Sequence, residues 1–87
     1  MARKNALPPD TAQFVRAVGI VLKSYRIGLK LNMSAAAERI GCSRAAVLQV
    51  ETARTAPSLP MMYAFLKAYK KTPLRLFYDA DALISSV

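Results

Sequence analysis

From Asp10 onward the apolar positions recur at helical spacing. Phe14, Val18, Val21, Leu22 and Tyr25 follow one another at intervals of three and four, which predicts a first helix with a single buried stripe. Asp10 is placed to cap it, with Gln13 three residues on as the reciprocal partner, and the pattern loosens near Gly28. Gly19 inside the stripe lowers helix propensity but permits a neighbour to approach closely. The preceding residues 1–9 carry Arg3 and Lys4, end in Pro8-Pro9 and have no period, so they are expected to form a mobile basic arm.

A second periodic stretch, NMSAAAERIGCSRAAVLQVE, reads as two short helices hinged on Gly41. Asn32 can cap the first of them through its side-chain oxygen, Gly41 supplies a tight connection, and Ser43 caps the second. In that second helix Val47 and Val50 fall on one side, while Arg44, Ala45, Leu48 and Gln49 fall on another that faces outward. Arginine and glutamine on an outward helix face can bond base edges, or they can be an ordinary solvated surface.

After a loop over residues 52–57, Ser58 can cap a fourth helix, and Pro60 is tolerated in its first turn because the amides there lack carbonyl partners. Leu59, Met62, Phe65, Leu66 and Tyr69 form its apolar stripe, which reads as core rather than as a cofactor box. Thr72-Pro73 is a cap followed by proline at the first helical position, and Leu74, Leu76, Phe77 and Tyr78 continue as a short fifth helix. Residues 79–87 then combine Asp79 and Asp81 with Ala82, Leu83, Ile84 and Val87. This tail has two readings: a contact for a second copy of the chain, or a segment folded back on its own domain.

Composition narrows the chemistry. A chain of 87 residues suits one small domain, in which about 60% of the unfolded surface is buried on folding. Thirteen Lys and Arg against five Asp and Glu give a net charge of +8, which favours a polyanionic partner. No segment approaches the roughly 18 unbroken apolar residues of a membrane span, and the start of the chain does not resemble a secretion signal, so a cytoplasmic, nucleoid-associated protein is expected. With one cysteine, Cys42, and no histidine, neither an internal disulfide nor an ordinary zinc site is expected, and Cys42 reads as a small filler in the turn. No cofactor is implied. Paired carboxylates, a phosphate loop, and a nucleophile with its base are all missing from the pattern, which argues against an enzyme.

Met33 to Thr52 resembles the helix-turn-helix of the Cro/C1-type, or XRE-like, repressor family. That family's motif of about twenty residues carries a small residue, a glycine and three aliphatics at places filled here by Ala37, Gly41, Ile40, Val47 and Val50. An arginine near the end of the family's first helix pairs with a glutamate ending the recognition helix, and Arg26 and Glu51 occupy those places. Pro57-Ser58-Leu59 and Leu74-Arg75-Leu76-Phe77 extend the likeness, which covers residues 14–77. The chain also departs from the family. Met33 stands where a phosphate-binding glutamine is usual, Ala36 replaces a large aliphatic, Thr52-Ala53-Arg54 lacks the usual glycine, and Leu48 occupies a commonly polar position.

The resemblance implies an all-α fold, a compact five-helix Cro/C1 repressor-like DNA-binding domain over residues 10–78 with its motif at 33–52. It also implies a homodimer on a palindromic double-stranded DNA operator. Arg44 and Gln49 would read bases, with Ala45 and Leu48 meeting thymine methyls. Asn32, Met33, Ser43, Thr52, Arg54 and Thr55 would lie along the DNA, mostly at phosphates, and Arg26–Glu51 would be a structural ion pair rather than a base contact. Since no ligand or protease domain follows in these residues, a stand-alone phage or mobile-element repressor is the expectation. The alternative is a protein-interaction module, such as an antitoxin or adaptor on the same fold, favoured by Met33, Leu48 and the apolar tail.

Overall fold

The computed structural model describes residues 7–85, which fold into α1 (Pro9–Gly28), α2 (Met33–Ile40), α3 (Arg44–Glu51), α4 (Leu59–Tyr69) and α5 (Pro73–Ser85). Helix α1 is the central strut: it packs on α3, α4 and α5, while α2 lies on α3 and α4. Its start differs from the Asp10 cap expected from sequence. Pro8 holds the N-cap position and Pro9 opens the helix, the Ala12 amide donating to the Pro8 carbonyl at 2.8 Å. Proline has its φ already set for a helix and no amide to satisfy there, so the helix begins two residues earlier. Asp10 instead accepts from the adjacent Thr11 amide at 2.8 Å. The expected arm at residues 1–9 lies largely outside the described residues.

The core is one cluster. Leu22, Phe65, Leu66, Val47 and Leu76 are fully enclosed, and Phe65 meets Tyr69 edge-on at 6.1 Å between ring centroids. Ala36 and Ala37 are buried on α2 and present little volume, so the space beneath that helix is filled from α4, with Leu31, Met33 and Ile40 sealing its margins. Three helix ends are closed by non-glycine residues in the left-handed region: Lys30 after α1, Ala53 after α3 and Lys70 after α4. Each carries a conformational cost on the order of 1 kcal/mol that a glycine would not. At Ala53 the left-handed backbone is adopted by alanine, without a glycine.

The largest difference from the sequence reading is α5. The boundary expected after Tyr78 is absent, and the helix runs on to Ser85. Leu76, Ala80 and Ile84, four residues apart, form a stripe that closes on the core, so this end of the chain is folded back on its own domain. Phe77 stacks obliquely on Phe14 of α1 at 5.9 Å. The Tyr25 hydroxyl donates to Asp79, whose same carboxylate oxygen accepts from Arg75 Nε at 3.0 Å, while Lys71 Nζ sits 4.9 Å over the Tyr25 ring.

These contacts move two pKa values in opposite senses. Burial, then the bond to Asp79, pushes Tyr25 up to about 12, whereas the Tyr25 and Arg75 bonds hold Asp79 below the usual carboxylate range. The depressed Asp79 contributes stability that is present above its unfolded value, near 4, and is lost as the pH falls through its folded value. The raised Tyr25 contributes stability that is complete below pH ~10 and is lost as the pH rises through about 12. Replacing Tyr25 by Phe should therefore cost about 1–2 kcal/mol at neutral pH, and the gap from the parent should narrow as Asp79 is protonated. Urea unfolding at pH 7 and pH 2.5 measures both values.

Candidate nucleic-acid interface

The turn between α2 and α3 forms as its residues dictate. Asn32 Oδ1 accepts from the Ala35 amide at 2.8 Å and Ser43 Oγ from the Ala46 amide at 3.0 Å, so each short helix has a side-chain cap. Gly41 has φ +90° and ψ +35°, and its amide donates to the Ala37 carbonyl at 2.8 Å. An L side chain there would be strained, which fixes glycine at the hinge. Cys42 is half-buried beside it, its thiol pushed up by burial.

Helix α3 splits into two faces. Val47 and Val50 are buried, Ala46 is half-buried, and Arg44, Ala45, Leu48 and Gln49 are exposed together on the outer side. Neither Arg44 nor Arg54 has an ion-pair partner among the described residues. Leu48 is 46% exposed, a large apolar group on an otherwise polar surface. Arg54 and Thr55 lie exposed in the following loop, both backbone amides donating to the Gln49 carbonyl, at 2.8 and 3.3 Å.

Four expected contact residues sit differently from a plain outward pose. Met33 is half-buried and packs against the core, because a thioether at the first position of α2 gains more from the apolar interior than from water. Thr52 is exposed, but its hydroxyl donates to the Leu48 carbonyl at 2.7 Å, capping α3 and leaving only acceptor capacity outward. Asn32 and Ser43 spend their oxygen as acceptors in caps; the Asn32 amide group and the Ser43 hydroxyl proton remain as donors for a phosphate oxygen.

Behind this surface, Arg26 and Glu51 form a two-pronged pair. Nε donates to Oε2 at 2.6 Å and Nη2 to Oε1 at 3.0 Å, and both residues are buried, at 8% and 6% exposure. The third guanidinium nitrogen, Nη1, donates to the Leu31 carbonyl at 2.8 Å. One side chain thus ties the end of α1 to the end of α3 and to the loop that delivers Asn32. The hydrogen bonds that Arg26 donates to Glu51 outweigh burial and raise the Arg26 pKa further. Beside the pair, and not foreseeable from helical spacing, the Tyr69 hydroxyl is buried without a hydrogen-bond partner among the described residues. Burial, then the Glu51 charge, pushes it up to about 12.

Two capped helices at a left-handed glycine, with a polar outer face on the second and a buried ion pair beneath it, make a helix-turn-helix. A helix-turn-helix family model matches residues 22–77, more than half of the chain. The protein belongs to the Cro/C1-type (XRE-like) helix-turn-helix family of DNA-binding transcription regulators. No curated protein and no solved structure matches it. No helix among the described residues is long and apolar enough to cross a membrane, and no cluster of His, Cys, Asp or Glu there could hold a metal ion.

Removing one partner of the Arg26–Glu51 pair leaves a buried charge uncompensated. Arg26→Met and Glu51→Gln should each destabilise by about 3 kcal/mol, and the double variant by clearly less than their sum. Denaturant unfolding of the four proteins measures the coupling, and strictly additive losses would show that the two residues do not act as a pair.

Proposed function

We propose that this regulator binds a palindromic double-stranded DNA operator as a homodimer and acts as a phage or mobile-element repressor in the cytoplasm, at the nucleoid. The observation that carries the DNA-reading part is the joint exposure of Arg44, Ala45, Leu48 and Gln49 on a helix whose other face is locked into the core. Arg44 near the start of α3 bonds guanine O6 and N7, Gln49 bonds adenine N6 and N7, and Ala45 and Leu48 meet thymine methyls. Arg54 and Thr55, with the free donors of Asn32 and Ser43, hold phosphates on either side. Met33 and Thr52 contribute at most backbone or acceptor groups.

Support for a pair of protomers comes from the surface between α4 and α5. Leu59, Pro60, Met62, Tyr63, Leu66, Pro73 and Phe77 line an apolar groove. With Ala80 and Ile84 turned to the core, we assign this groove as the apolar surface that meets a second copy. A dimer seated there would have to hold its two α3 helices about 34 Å apart, the separation of successive major-groove sites.

The same groove favours the other reading, a module that docks an acidic protein there and has no need of an operator. Selection of bound duplexes from a random pool separates the two. A two-fold consensus is expected. Arg44→Ala should then lose about 1–3 kcal/mol on the selected duplex and relax preference at one guanine per half-site, whereas Arg54→Ala should weaken all duplexes alike and lower the salt slope by about one unit. If the selection returns no consensus and Arg44→Ala changes nothing while the fold is intact, the interaction module is the better account.

A further inference from the structure

Helix α1 crosses the last turn of α3 at Gly19, and the crossing is closer than any side chain permits. A Cβ built on Gly19 would lie 2.5 Å from the Val50 carbonyl oxygen and 2.9 Å from that of Glu51. Both obstacles are backbone atoms of the recognition helix, so no rotamer change relieves them. Bringing the nearer contact to an ordinary 3.5 Å separation requires a retreat of roughly 1 Å. Glu51 is meanwhile held to Arg26 by bonds of 2.6 and 3.0 Å, so α3 cannot slide away as a whole and must tilt about that anchor.

We propose that Gly19 is a specificity-positioning residue: the hydrogen it carries in place of a side chain sets the tilt at which α3 presents Arg44 and Gln49 to the major groove. The proposal rests on the reading that α3 is the DNA-reading helix. Two-bond recognition of a base needs its side chain placed within about 0.5 Å, whereas phosphate attraction in a cationic protein tolerates larger displacements. A tilt that moves α3 by roughly twice that tolerance should thus remove sequence preference while sparing non-specific affinity. Gly28, on the same helix, is the control, because a Cβ there meets nothing within 4 Å.

The test compares Gly19→Ala, Gly28→Ala and the double variant with the parent. Each is measured on the duplex the parent selects from a random pool and on a scrambled duplex of the same composition, at several salt concentrations. Backbone amide shifts of the free proteins are recorded alongside. Gly19→Ala should bind the selected duplex at least tenfold more weakly, bind the scrambled one within twofold of the parent, keep its salt slope, and shift the amides of residues 44–51. Gly28→Ala should change none of the binding values. The double variant guards against simple loss of fold, since alanine in open helical space stabilises.

Equal losses on both duplexes after correction for the folded fraction, or unmoved α3 amides, would overturn the proposal. So would a double variant that does not fold, since the contact would then be a packing requirement rather than a setting of tilt. Amide shifts confined to α3, together with a parent protein that prefers no duplex, uphold the placement of α3 by Gly19 and overturn the DNA reading beneath it.

Discussion

The guanidinium of Arg26 is the joint on which the rest of this structure depends. Its two bonds to Glu51 fix where α3 ends, and its third, to the Leu31 carbonyl, fixes where the chain turns into α2. In a domain whose core is dominated by alanine, valine and leucine, apolar packing alone leaves helices free to slide by small amounts, because such surfaces are smooth and the forces between them are non-directional. A planar fork has no such freedom. Buried ion pairs contribute little net stability over apolar residues of similar size, so the value of this one lies in geometry. It sets where α3 ends relative to α1 and to the loop before α2.

Small residues complete what the pair begins. Gly19 lets α1 touch the carbonyl end of α3, Ala36 and Ala37 let α2 settle deeply, and Gly41 makes the hinge without strain. The left-handed Lys30, Ala53 and Lys70 carry modest local strain that the surrounding caps and packing offset. Tyr69 is the exception: its hydroxyl sits beside the ion pair with no partner, a local cost that the edge-on contact of its ring with Phe65 helps to offset.

What was legible in the sequence was local. The caps at Asn32, Ser43, Ser58 and Thr72, and the left-handed glycine, depend on residues within three or four positions of one another, and all form as expected. The two faces of α3 followed from its period. The misreadings arose where distant contacts decide the outcome. Residues 79–87 read as an apolar tail beyond a short fifth helix, yet Asp79 is held by Tyr25, 54 positions away, and Ala80 and Ile84 pack on the core as α5 runs on. Met33, placed along the DNA by its position in the motif, is half-buried against the core, a contact that only the fold reveals. Asp10 lost its capping role to a neighbouring proline. The backbone contact at Gly19 was foreseeable only as permission; which atoms would use it required the fold.

Charge and shape together define the account. An excess of cationic side chains favours a polyanion without choosing a sequence, and in the proposed function the choice falls to the four exposed side chains of α3 held by the platform behind them. The direct test is methylation protection of guanine N7 on the duplex selected by the parent protein, because N7 lies in the major groove and is the atom assigned to Arg44. One guanine protected in each half-site, with protection lost in Arg44→Ala, is the result this account predicts. Guanine N7 left fully reactive on a saturated duplex would contradict it, since α3 would then not be in the groove.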